Sequence, residues 1–148
     1  MKIYVINGPN LNLLGVREPD IYGSYTLPRV EEMIKMHCDE LGVEVVLFQS
    51  NHEGDIVDKI QEAYLENANG IVINPAAYTH TSIAIPDAIK ATSLPTVEIH
   101  ISDPDKREEF RHISYVRDVA IATVKGKGVN GYLDAIDILV RHLEGEPR

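Results

Sequence analysis

The side chains best suited to bind a small molecule or move a proton fall in four short stretches. The apolar run Ile3-Tyr4-Val5-Ile6 breaks into Asn7-Gly8-Pro9-Asn10-Leu11-Asn12, and Gly15-Val16-Arg17-Glu18-Pro19-Asp20-Ile21-Tyr22-Gly23 follows directly. A strand that ends in uncharged hydrogen-bonding groups, beside a glycine-bracketed loop carrying Arg, Glu and Tyr, reads as a site floor under a movable cover. A third stretch, Asn74-Pro75-Ala76-Ala77-Tyr78-Thr79-His80-Thr81-Ser82, lies between a strand and a helix start. Amide donors there can hold an anion or hydroxyls, which makes His80 a candidate substrate contact, with a surface cap contact as the plainer account. In the fourth, Glu98, His100 and Ser102 alternate along one strand and so project to one side. An acid on a central strand is costly to bury unpaired, so Glu98 most simply orients and charges His100, the layout of a general acid. A purely structural buried pair fits these residues equally well.

These groups need a frame. Runs rich in Val and Ile without clean alternation predict strands at 2–7, 43–48, 70–74, 95–101 and 118–124, each covered on both faces. Helical spacing of Val30, Met33, Ile34, His37 and Leu41 predicts a helix with Thr26 as cap, Pro28 in its first turn and Gly42 just past its end. A second helix, about 54–67, carries Ile56, Ile60, Ala63 and Tyr64; the last carries Tyr132, Ile136, Leu139, Val140 and Leu143. Segment 81–92 is helical too, with Pro86 starting or kinking it. This alternation predicts an α/β fold, a flavodoxin-like doubly wound five-stranded parallel sheet, with residues 1–148 forming a single domain. In such sheets ligands sit beyond the carboxyl ends of the strands, where Asn7, Asn10, Asn74 and His100-Ile101-Ser102 fall.

Composition excludes several classes. The 148 residues, 44% hydrophobic, suffice for one domain with a core. A net charge of −9 without a Lys/Arg block argues against nucleic-acid binding, and no apolar run approaches a membrane span. Met1-Lys2 leads into a strand without a signal-peptide layout, so a cytoplasmic protein is expected. The lone Cys38 sits among helical apolar positions and is expected to be buried. Gly126-Lys127-Gly128-Val129-Asn130-Gly131 matches a dinucleotide fingerprint, yet no strand with a ribose-binding acid follows, so it reads as a tight strand-to-helix turn. The six histidines lack zinc-site spacing, and no metal or cofactor is expected. A receiver-type signalling module would share the fold but needs acids where Asn7 and Asn74 stand.

The chain resembles the type II 3-dehydroquinate dehydratases over nearly its whole length. The resemblance rests on residues 7–15 with Arg17-Glu18-Pro19 and Tyr22-Gly23, on Gln49-Ser50-Asn51-His52-Glu53-Gly54, and on 74–82. Glu98-Ile99-His100-Ile101-Ser102 and Arg107-Glu108-Glu109-Phe110-Arg111 complete it. It implies dehydration of 3-dehydroquinate to 3-dehydroshikimate by anti elimination through an enolate, without metal or cofactor. On this likeness Tyr22 is the base, Arg17 activates it, His100 protonates the departing hydroxyl, Asn10 steadies the enolate through a water, and Glu98 partners His100. Asn74, His80, Asp87, Ile101, Ser102 and Arg111 would contact substrate, with the amides of Ile101 and Ser102 receiving its carboxylate. The likeness further implies a homo-oligomer, a dodecamer built as a tetramer of trimers, in which Asp87 reaches a neighbour's site. Departures from the family pattern are Asp103-Pro104-Asp105, expected to alter how Arg107 and Arg111 are held, and Pro86, Lys125 and Lys127.

The implied base has a steep requirement. A free phenol titrates near ~10, and reaching neutrality needs a drop of about 3 units, or roughly 4 kcal/mol. A guanidinium at about 4 Å supplies roughly 1 kcal/mol in water but about 4 kcal/mol at an effective dielectric near 20. Closure of a glycine-bracketed loop would pair Arg17 with Tyr22 and expel water together. On the residues alone, Arg17 pairing with Glu18 on an exposed loop is the simpler account. Tyr25 is the rival base; spacing from Arg17-Glu18-Pro19 selects Tyr22.

Overall fold

The computed structural model describes residues 1–16, 18–22 and 24–145, apart from the side chains of Pro19 and Tyr22. Strands β1 (Lys2–Asn7), β2 (Glu44–Gln49), β3 (Gly70–Asn74), β4 (Thr96–His100) and β5 (Ala122–Lys125) form one parallel sheet in the order β2-β1-β3-β4-β5. This is the doubly wound, flavodoxin-like order, with its switch point between β1 and β3. Helices α1 (Pro19–Tyr22), α2 (Leu27–Leu41), α3 (Glu53–Leu65), α4 (Ala84–Thr92) and α5 (Gly131–Leu143) accompany it. Apolar residues of α2 and α5 share a core with Ile3, Val5, Val72, Val97 and Ile99, while α3 and α4 share one with Tyr4, Ile6, Ile71 and Ile73. Alternate residues of each central strand thus enter opposite layers, which is why their sequences read as unbroken apolar runs.

Local chemistry sets the helix ends. Thr26 Oγ1 accepts from the Arg29 amide at 3.4 Å, Pro28 occupies the first turn, and Gly42 closes α2 at φ 70°. The buried stripe runs through Val30, Ile34 and Cys38, whereas Leu41 is exposed and His37 reaches across to Asp137 of α5 at 2.7 Å. Burial first, with Asp39 and Asp137 nearby, pushes the Cys38 thiol up to about 11, so it behaves as a packing residue. Pro86 falls in the first turn of α4, where its missing N–H leaves no helical bond unmade. The Ser82 hydroxyl accepts from the Ile85 amide at 3.1 Å, so the helix starts later than residue 81.

Two segments differ from the expected pattern. The β4–β5 crossover carries three 3-10 turns, Pro104–Lys106, Glu109–Arg111 and Arg117–Val119, in place of a helix. The apolar residues at 116 and 119 pack with the α3–α4 layer, so the fifth strand begins at Ala122 rather than 118. The covering loop after β1 also contains the short helix α1, which alternation did not signal. Among the described residues, no helix is long and apolar enough to cross a membrane.

Candidate active site

The ends of β1, β3 and β4 meet at the switch point. Asn7 and Asn74 are direct partners in the β1–β3 ladder, and the Gly8 amide donates to Asn74 O at 2.8 Å. That approach requires glycine, because a Cβ at Gly8 would lie 2.4 Å from Pro75 O. Beyond it the chain turns through Asn10 at φ 69°, whose amide donates to Asn51 Oδ1 at 3.0 Å. Gln49 Nε2 donates to Gly8 O and to Asn51 Oδ1, each at 3.1 Å, fixing this turn from the end of β2.

Under the floor lies the buried hydroxyl of Tyr132, from α5. It donates to Asn7 Oδ1 at 2.5 Å and accepts from Asn74 Nδ2 at 3.0 Å, while Asn74 Oδ1 accepts from the Ala76 amide at 3.1 Å. Burial pushes this phenol far above its ordinary range, the Asn74 bond only partly opposing it, so it stays protonated and able to donate. Asn7 Nδ2 is buried without a partner among the described residues.

The acid–base pair stands on β4. Val97 and Ile99 enter the α2–α5 core, so Glu98 and His100 face the opposite layer. Glu98 is fully buried and His100 nearly so. His100 Nε2 lies 2.5 Å from Glu98 Oε2, which also accepts from Ser114 Oγ at 2.6 Å; Glu98 Oε1 accepts from Thr123 Oγ1 at 3.0 Å. Burial opposes the charge of Glu98, but the bond and charge of His100 and the two hydroxyls outweigh it and hold the carboxyl below its usual range. With Nε2 committed to the carboxylate, Nδ1 is the nitrogen left to exchange a proton.

His80 is fixed differently. Its Nδ1 lies 2.7 Å from Ile113 O, and a carbonyl can only accept, so Nδ1 carries the proton and neutral Nε2 is an acceptor. Burial, with help from the charges of His100 and Arg111, lowers its pKa, against the raising effects of the Ile113 bond and Glu98. The neutral ring of His80 is therefore favoured.

A cleft over this floor is lined by Asn10, Asn74, His80, His100, Ile101 and Ser102, with Arg107 and Arg111 on its crossover wall. The amides of Gly128 and Gly126 donate to Ile101 O at 3.0 Å and Ser102 O at 3.1 Å, so the glycine-rich turn read as a connector braces the end of β4. In a trans peptide the Ser102 N–H then points away from that turn. Arg111 Nε donates to Glu108 at 3.0 Å; Arg107 NH1 donates to Ser102 Oγ at 3.5 Å, and its guanidinium lies 3.7 Å from Glu18. Asp103 caps a 3-10 turn and Asp105 pairs with Lys125, so these acids are tied up away from Arg111. Two cations, directed amides and hydroxyl partners suit a polyhydroxylated carboxylate.

Seven of the expected residues, Asn10, Asn74, His80, His100, Ile101, Ser102 and Arg111, thus line one cleft, with Glu98 directly behind His100. Asp87 is exposed on the first turn of α4 and does not line it. Arg17 and the side chain of Tyr22 lie outside the described residues. Residue patterns had not marked Ser114, Thr123 or the hydroxyl of Tyr132 as parts of the site. Thr123 is the register partner of Glu98 across β4 and β5, a relation that local sequence does not carry. Among the described residues no three His, Cys, Asp or Glu side chains gather to hold a metal ion.

Residues 1–140 match the family model described as dehydroquinase class II. The 3-dehydroquinate dehydratase of Endomicrobium trichonymphae is 54% identical over 139 residues, covering 94% of this chain and 96% of that one. The catabolic 3-dehydroquinase 1 of Fusarium vanettenii is 53% identical over 96% of this chain and 98% of its own. The crystal structure of the type II dehydroquinase from Butyrivibrio crossotus superposes with a TM-score of 0.93 at 52% identity, covering 95% of this chain and 97% of that one.

Proposed function

Since this chain belongs to the class II dehydroquinase family, we propose that it dehydrates 3-dehydroquinate to 3-dehydroshikimate by anti elimination through an enolate, with Tyr22 as base and His100 as acid. The observation that carries the acid assignment is the His100–Glu98 contact of 2.5 Å at the cleft wall. An imidazolium held by a buried carboxylate keeps its proton in a polar cleft until a leaving hydroxyl takes it from Nδ1. In the first step Tyr22, acidified by Arg17, removes the proton beside the ketone, and a water on Asn10 steadies the enolate oxygen. Asn74, neutral His80 and the ring hydroxyls exchange hydrogen bonds, while the amides of Ile101 and Ser102 and the charge of Arg111 receive the carboxylate. The chain assembles as a dodecamer of four trimers, where exposed Asp87 reaches a neighbour's cleft.

Mixing the protein with 3-dehydroquinate should produce the absorbance of a conjugated enone. Tyr22→Phe should retain substrate binding and lose nearly all turnover; substantial residual activity removes Tyr22 from the base role. His100→Ala should recover rate with an analogue bearing a better leaving group, and no recovery reassigns the acid. A stable monomer in light scattering overturns the assembly.

A further inference from the structure

Glu98 is the most deeply buried carboxyl at the site, and three donors from three segments converge on it. His100 comes from β4 itself, Ser114 from the β4–β5 crossover and Thr123 from β5. Each hydroxyl has one proton to give. The Ser114 oxygen also accepts from the Arg117 amide at 3.1 Å, which leaves its O–H to point at Glu98 Oε2, 2.6 Å away. Thr123 sits opposite Glu98 in the ladder, and its hydroxyl meets Oε1, the oxygen that His100 does not use. The carboxylate is thus held at both ends, and its rotation about the Cγ–Cδ bond is blocked.

We propose that Ser114 and Thr123 are positioning residues: their hydroxyls lock the Glu98 carboxylate as an ionised acceptor and thereby set the orientation and proton affinity of His100. The proposal rests on the reading of His100 as the acid. Without the hydroxyls the buried carboxylate loses two of the three donors it has among the described residues, its charge is less well supported, and a proton on His100 is held less firmly. Other charged groups act on the same pair. His80 faces it from the loop after β3, Arg107 and Arg111 from the crossover, and Lys125, register partner of His100, from β5 with its ammonium on Asp105. Among the described residues the hydrogen bonds to Glu98 come from His100, Ser114 and Thr123.

The test is a 15N-histidine titration of the full-length protein without substrate, from roughly pH 5 to 9, beside the pH profile of kcat. His100 is assigned by comparison with His100→Asn. In Ser114→Ala/Thr123→Val the His100 midpoint should fall by about half a pH unit or more, and the high-pH limb of kcat should move down with it. Restoring one hydroxyl, as Ser114→Ala/Thr123→Ser, should return part of both shifts. An unmoved His100 midpoint overturns the proposal. A midpoint that falls while the kcat profile stays fixed supports the positioning role and removes His100 as the acid. If the double variant does not fold, the near-isosteric Thr123→Val alone should show a smaller fall, and no fall there overturns the proposal equally.

Discussion

Replacing Glu98 by Gln keeps the shape of the buried side chain and deletes its charge. The carboxylate accepts from His100, Ser114 and Thr123 with no solvent exposure. A bond to an ionised group contributes about 1.5–3 kcal/mol against about 0.5–1.5 for a neutral one, so neutralisation costs about 1 kcal/mol per bond. Three bonds give about 3 kcal/mol as an upper value, since a hydroxyl can turn to accept from the new amide. For a chain of this size that lowers the unfolding midpoint by about 6–12 °C at fixed protein concentration. The pH dependence has a definite sign. The folded carboxyl is held below its usual range, so its stabilisation is complete above the unfolded value near ~4.3 and drains away as pH falls through the lower folded value. Thermal unfolding of both proteins should therefore show the widest gap near neutrality and a gap that narrows in acid, once the pH falls below ~4.3 and through the lower folded value. Equal midpoints at neutral pH, or a gap that widens in acid, would refute the assignment of Glu98 as a charged and stabilising acceptor.

Tyr132→Phe strips the partners from Asn7 Oδ1 and Asn74 Nδ2 and should cost about 1–3 kcal/mol in urea unfolding; an unchanged midpoint would mean that these bonds contribute nothing net. Glycine positions should respond with opposite signs. Gly8→Ala drives a methyl to 2.4 Å from Pro75 O and should destabilise by about 1–3 kcal/mol, whereas Gly54→Ala, with nothing within 4 Å in the first turn of α3, should be neutral or stabilising by up to about 1 kcal/mol. Thermal midpoints of the two variants check the contrast, and equal shifts would contradict the packing at Gly8.

The sheet was readable because strands covered on both faces must be apolar at every position, as β3 is from Gly70 to Ile73. The same signal misled at 118–121. Val119 is apolar because it packs in the α3–α4 layer from a 3-10 turn, and apolarity alone does not separate that from a strand. Leu41 and Tyr64 fit helical spacing but sit near helix ends, where the stripe has run past the sheet and both are exposed. Glu98 and His100 were legible as a pair because two residues on one strand share a face. Their hydroxyl partners were not, because register places Thr123 and an irregular crossover places Ser114. Tyr132 was legible as a core position, but the use of its hydroxyl depends on two strand ends far away in sequence. Wider placement of cleft residues came from family resemblance rather than periodicity.

The phenol of Tyr132 closes a link to Asn7 across 125 positions of chain. All five strands are therefore synthesised before the hydroxyl that bonds Asn7 Oδ1 and Asn74 Nδ2. Until α5 docks, Asn7 Oδ1 and Asn74 Nδ2 need water as their partner. The Glu98–His100 contact joins two positions of one strand, yet the other bonds of its carboxylate come from Ser114 and Thr123, which are made later. The Glu98 side of the cleft thus waits on β5, and the floor waits longer, on α5.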